Sequence, residues 1–264
     1  MRYFTTTVIP DVINGDVSDV VGTSVHASDS GDLPMGSSDV LFDWTAFNIP
    51  KGACRLESIS LYIMGEDGGG QNLADISLIF GKSENGEAPT ALATAMNIVQ
   101  DAGFDMPTHF IGATKLEGSG AGIGNIVGPA FGTVYVSNST NGNGHVNSGL
   151  ILEGEPESGT NVGYDTIYIA AYNGSANIDF STGVKPTAQA ATSTDTIAVD
   201  GVDPRKCFQI GDTVYTNTDD TALGTVKSMG ANEIVLNANL AAQVEDNEEI
   251  VNANPIRIVM GFSK

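Results

Sequence analysis

Short runs in which apolar and polar residues alternate recur along most of this chain, the spacing of half-buried β-strands. Residues 40–47 alternate imperfectly, with Phe42, Trp44 and Ala46 toward one face. Residues 56–64 form a second run that stops at the Gly-rich stretch 65–70, and residues 76–80 resume it, which together read as a long hairpin. Further strands are predicted at 133–137, 149–152, 166–172 and 177–180. One segment departs from this pattern. Residues 89–99 are Ala-rich, with apolar Leu92, Ala95, Met96 and Val99, a Pro near the start and Gly103 past the end, and predict a short helix. The Gly-rich stretch 118–132 reads as an irregular loop.

The densest strand signals lie between residues 196 and 251. Runs at 196–199, 208–210, 213–216, 224–229, 233–236 and 249–251 are joined by turns, with Asp200-Gly201 as a tight-turn dipeptide. Strands at this spacing predict a five- or six-stranded barrel of about 55 residues, near the lower limit for independent folding. Residues 186–193 are small and polar, as a linker is, and 252–255 form a return linker. The last strand, 256–262, has almost no chain after it to pair with, so it is expected to return to a larger domain. The expected fold is therefore all-β: a jelly-roll-like β-sandwich of residues 1–188 plus 253–264, with residues 189–252 inserted as a small β-barrel.

Charge narrows the partners. The chain of 264 residues has 11 Lys and Arg against 32 Asp and Glu, a net −21. Such a surface repels the phosphate backbone and anionic lipid, so neither nucleic acid nor membrane is an expected partner. The acids are dispersed, 21 in residues 1–189 and 11 in residues 190–251. Dispersed charge of one sign keeps a protein soluble at high concentration. Cys54 and Cys207 fall in different expected domains and read as two buried thiols rather than a disulfide. The first residues lack an apolar run of signal-peptide length, so synthesis in a cytoplasm without export is expected.

Motifs for catalysis or cofactor binding do not assemble. Gly81-Lys82-Ser83 resembles the end of a phosphate-binding loop, but Ile76 stands where its first glycine belongs. Gly118, Gly120, Gly122 and Gly124 alternate without giving G-x-G-x-x-G, and Glu117 removes Ser119 from a nucleophile elbow. His26, His109 and His145 are far apart and outside any compact metal spacing. Trp44 reads as core rather than as a sugar platform. Acidic loops at 16–19, 66–67, 219–220 and 245–249 lack the pattern of an EF-hand; solvated turns are the preferred reading, with divalent-cation binding as the alternative. The expectation is a protein that is not an enzyme, with no catalytic residue, cofactor or metal site.

The runs Phe208-Gln209-Ile210-Gly211-Asp212-Thr213-Val214-Tyr215, Leu223-Gly224-Thr225-Val226-Lys227-Ser228-Met229, Glu233-Ile234-Val235-Leu236 and Val244-Glu245-Asp246-Asn247-Glu248-Glu249-Ile250 resemble small β-barrel modules of tailed-phage virion proteins. The larger domain, with its Thr-rich start and Gly- and Asn-rich loops, is similar to virion structural proteins of marine tailed bacteriophages. The resemblance implies a capsid decoration (cement) protein on the outer capsid surface, with the major capsid protein as partner and a homo-oligomer, a trimer, as the assembly. It implies no catalytic residues. A tail, baseplate or fibre component binding host glycans is the competing reading, and a secreted polysaccharide-active enzyme a third. Like-charged protomers can meet only where carboxylates are sparse. Ile123, Ile126, Val127 and Phe131, in a loop without acids, are the expected interface, although the same side chains could pack on their own core.

Overall fold

The computed structural model describes residues 2–12, 40–64, 75–92, 106–116, 123–124, 133–136, 150–155, 165–174, 180, 182–216 and 221–264. In chain order the elements are β1 (Tyr3–Val8), β2 (Val40–Asn48), β3 (Cys54–Ile63), β4 (Ile76–Gly81), a one-turn helix α1 (Met106–His109), β5 (Phe110–Leu116), β6 (Ile123–Gly124), β7 (Thr133–Val136), β8 (Ile151–Leu152) and β9 (Thr166–Asn173). They continue with β10 (Val184–Pro186), β11 (Thr196–Gly201), a 3-10 turn at Pro204–Lys206, β12 (Thr213–Thr216), β13 (Ala222–Met229), β14 (Glu233–Leu236), β15 (Ile250–Asn252) and β16 (Ile256–Ser263). The protein is all-β, a sandwich with a small barrel.

The sandwich has one sheet in the order β1-β16-β3-β7-β6, with β8 also on β3, and a second in the order β2-β9-β4-β5. All pairs are antiparallel. Alternation, reset by a bulge at Glu57, puts Leu56, Ile59, Leu61 and Ile63 of β3, with Ile258, Met260 and Phe262 of β16, on the inner face. They meet Phe42, Phe47, Leu78, Phe80, Ile167 and Ile169 of the facing sheet in one apolar cluster. Phe262 joins the layers, stacked on Phe4 at 5.1 Å and on Phe47 of β2 at 6.4 Å between ring centroids. Each fully buried side chain of this kind contributes ~1.5–3 kcal/mol.

The last strand does return to the sandwich. Ile256–Ser263 lies between β1 and β3 and pairs with both along its length. The third sheet, in the order β10-β11-β14-β13-β12-β15, curls into a nearly closed barrel around Val199, Phe208, Val214, Val226, Ile234, Leu236 and Ile250.

Several expectations are corrected. β3 and β4 are not a hairpin, because they lie in different sheets; β4 is buried almost throughout and needs neighbours on both sides, which β5 and β9 supply. Residues 89–92 do not start a helix. The Asp43 carboxylate accepts the Leu92 N–H at 3.2 Å and the Trp44 indole donates to the Thr90 carbonyl at 3.0 Å, tying this stretch along β2. The rest of that predicted helix, 93–99, lies outside the described residues, as do the Gly-rich stretch at 65–70 and residues 177–179 of a predicted strand.

Residues 208–210 form a turn, not a strand. Asp200-Gly201 ends β11, paired with β10, rather than turning; a Cβ at Gly201 would lie 2.5 Å from the Gly183 carbonyl oxygen. Val184, Lys185 and Pro186 belong to the barrel sheet, so the polar stretch expected as a linker begins inside a strand. The glycine-rich loop contains β6, which pairs with β7.

Candidate functional site

The most constrained polar site among the described residues lies where the barrel joins the sandwich. The chain passes into and out of the barrel on adjacent backbones. The amides of Thr182 and Gly183 donate to Glu249 Oε1 at 2.6 and 2.9 Å, and the Thr182 hydroxyl donates to the Ile250 carbonyl at 2.5 Å. Glu249, from the acidic turn 245–249, therefore serves as a backbone acceptor. Within the same turn Glu245 accepts from Gln189 at 2.8 Å and from Gln243 at 2.6 Å.

Beside this clamp, Asp212 and Arg257 form a buried ion pair, their side chains 4% and 9% exposed. Asp212 belongs to the barrel and Arg257 to β16 of the sandwich. Burial of two charges is costly unless every remaining lone pair and proton finds a partner. Here most do. Asp212 Oδ2 accepts from the Gln209 amide at 2.8 Å and from Asn252 Nδ2 at 2.7 Å, while its other oxygen takes the Arg257 guanidinium. Arg257 also donates to the carbonyls of Asn254 and Ile256.

Two asparagines extend the network. Asn252 Nδ2 reaches the Cys207 carbonyl at 2.8 Å, and its oxygen accepts the Asn254 amide at 2.8 Å. Asn254 takes the Thr213 amide at 3.2 Å and donates to the Pro10 carbonyl at 3.3 Å. Backbone bonds from Val12 to Ala253 and from Met64 to Pro255, both 2.8 Å, complete the seam. The return segment 252–255 is thus a bonded joint rather than a loose tether.

A second feature lies on the outer face of the sheet. Side chains alternate, so Arg257, Val259 and Gly261 share the face of β16 opposite the core, and the barrel covers its Arg257 end. Toward the other end the register aligns Tyr3, Ser263, Arg55 and Ile151 in one row and Thr5, Gly261 and Ser58 in the next. The face opens there into a hollow of about 350 Å³ lined by Tyr3, Phe4, Thr5, Glu57, Ser58, Gly261 and Phe262. Gly261 is among the lining residues, and a Cβ there would lie 2.5 Å from Ser58 Oγ. Tyr3 is 73% and Ile151 62% exposed on this face. Its charged pair, Arg55 and Glu57, is internally balanced at 3.7 Å.

Of the residues expected at an interface, Ile123 is in β6, and Ile126, Val127 and Phe131 lie outside the described residues. So do His26, His145 and the acidic loops 16–19, 66–67 and 219–220. Among the described residues no group of three His, Cys, Asp or Glu gathers as a metal-ligand set. His109 is buried with Nδ1 2.8 Å from the Lys82 carbonyl. Gly81 of the phosphate-loop-like triplet makes room for the Trp44 ring, 3.2 Å from where its Cβ would be. Cys54 and Cys207 are buried and form no disulfide. The junction network itself was missed by sequence reading. Its one signal was Asp212, a polar residue fixed between Gly211 and an alternating strand.

Compared with known proteins, the sequence matches no family model and no curated relative.

Proposed function

We propose that this chain is a structural protein of a tailed-phage virion, a decoration protein that binds the outer capsid shell and stabilises it as a homo-oligomer, a trimer. The observation that carries the reading is the seam at Asp212 and Arg257, which fixes a small barrel on a sandwich in one orientation. A part that must fit a repeating lattice gains from such rigidity, because orientational freedom lost on binding weakens the contact. The dispersed net −21 suits an outer position, away from packaged DNA. Binding the assembled shell and not its free subunits shifts the equilibrium toward the shell by mass action. The major capsid protein is the partner.

Mass spectrometry and antibody labelling of purified particles from cultures producing this chain test the reading. Label spread over the capsid is the expected result. Label confined to the tail moves the protein to the competing tail or fibre role, and absence from particles overturns a virion role altogether.

A further inference from the structure

An Asn-Gly dipeptide carries a chemistry of its own. The glycine nitrogen, once it has given its proton to solvent, can attack the side-chain carbonyl of the asparagine. A new N–C bond closes a five-membered succinimide, and the side-chain nitrogen leaves as ammonia. Water then opens the ring at either carbonyl, leaving aspartate or isoaspartate. Glycine favours the reaction because no side chain hinders its nitrogen or restricts its backbone. The chain has five such dipeptides, at 14–15, 85–86, 141–142, 143–144 and 173–174. Of these, Asn85-Gly86 and Asn173-Gly174 lie among the described residues.

The fold treats the two differently. Asn173 ends β9 fully buried, and the Gly174 amide is bonded to the Asp75 carbonyl at 2.5 Å. A Cβ at Gly174 would lie 2.8 Å from that same oxygen, so the backbone there has little room to turn. Asn85, in contrast, is exposed at the tip of a hairpin closed by reciprocal amide–carbonyl bonds of 3.0 Å between Glu84 and Glu87. Its turn is fastened from a distant part of the chain. The buried Glu155 carboxylate accepts the Asn85 amide at 2.5 Å and the Gly86 amide at 3.1 Å. A nitrogen that donates to a carboxylate is a poor nucleophile for two reasons. Losing its proton would set one anion against another. The bond also aims the nitrogen at Glu155, whereas ring closure needs it aimed at the Asn85 side chain.

We infer that Asn85 is a deamidation site held in check by Glu155, whose carboxylate keeps the Gly86 nitrogen from closing on the Asn85 side chain. Conversion requires the turn to leave Glu155, a local opening and not the unfolding of the chain. It is also one-way. The product places a further carboxylate between Glu84 and Glu87 and beside Glu155, and isoaspartate lengthens the backbone by one carbon. Neither product returns to the turn as tightly as asparagine. The inference is independent of any virion role.

Ageing of the full chain in warm, mildly alkaline buffer tests it, with peptide mapping that separates asparagine, aspartate and isoaspartate at each site. Asn85 should convert more slowly in the protein than in a synthetic peptide of residues 81–90. Glu155→Gln replaces one accepting oxygen by a donor. It should speed conversion at Asn85 about tenfold, the worth of one charge-assisted hydrogen bond, and leave Asn173 unchanged. Glu155→Asp, which keeps the charge but draws it back from the turn, should fall between the two and guards against a Gln variant that folds poorly. Equal rates in protein and peptide would overturn the inference, because the turn would then give no protection. So would an Asn85 rate that neither variant changes, or one that rises only in step with Asn173 in both variants, since protection would then come from global folding alone.

Discussion

Asp212 and Arg257 show how much one buried pair can decide. Removing one partner leaves a charge without compensation, and such breaks cost ~3–5 kcal/mol. Arg257→Ala should therefore lower the urea midpoint strongly. Arg257→Met with Asp212→Asn should restore part of the loss, because the uncompensated charge is gone while the side-chain oxygen at 212 still accepts from the Gln209 amide and Asn252. If the double variant is as weak as the single, the network acts through its asparagines and not through the ion pair. Cys54 gives a pH signature. Burial pushes its thiol up to about 11 from 9.0, with the Lys264 charge pulling weakly the other way. Stability is then intact below about pH 9 and falls as pH climbs toward about 11. Wild type should lose more stability than Cys54→Ala across that window, measured by denaturant melts; equal losses would show that the thiol is not responsible. Glu155 works at the other end of the scale. Burial opposes its charge, but the amides of Gly86 and Asn85 prevail and hold the carboxyl below its usual range.

At the level of elements, Glu155 has a structural task. Asn85 and Gly86 both have positive φ, 53° and 83°, as the centre of a type I′ hairpin turn requires. The carboxylate accepts their amides at 2.5 and 3.1 Å, pinning the turn between Glu84 and Glu87. That support is present at neutral pH and fades as pH falls through the lowered carboxyl value. Glu155→Gln should weaken protection of the Asn85 and Gly86 amides from hydrogen exchange at neutral pH and narrow the difference in acid. The barrel invites a second test. β10 is part of its sheet and Val184 part of its core, so a fragment spanning residues 182–252 should fold where residues 190–252 melt at lower temperature. Replacing residues 183–251 by a short Gly/Ser linker should leave a folded but weakened sandwich, because Arg257 then lacks Asp212. Adding Arg257→Met should recover stability. Loss of all cooperative unfolding in both sandwich variants would mean that the two units share one core.

For the whole molecule the dominant quantity is charge. At net −21 the protein should show no micromolar binding to duplex DNA at physiological salt in a fluorescence anisotropy titration. Binding at that level would argue for an interior position in the particle and against the outer surface. The joint at residues 252–255 makes a matching mechanical prediction. Small-angle scattering of wild type should fit one rigid arrangement, whereas Arg257→Ala should broaden it by loosening the barrel from the sandwich.

The β class, the small barrel and the return of the last strand were readable because alternation and glycine-rich turns are local signals that each strand carries by itself. The Asn85-Gly86 turn is equally local, a dipeptide that accepts positive φ at both positions. β1 and β5 were not evident: Thr-Thr-Thr and Gly-Ala-Thr form weak patterns that become strands only because β16 and β4 offer them hydrogen bonds. The sheet to which a strand belongs was not legible either, which is why β3 and β4 look like a hairpin in the sequence and lie in opposite layers of the sandwich. Asp212 and Arg257 stand 45 residues apart. Apart from the place of Asp212 between Gly211 and a strand, nothing local distinguishes them from other acids and bases of the chain. Only the tertiary fold brings them together, out of water and among asparagine amides, where a surface charge pair becomes the joint between two units.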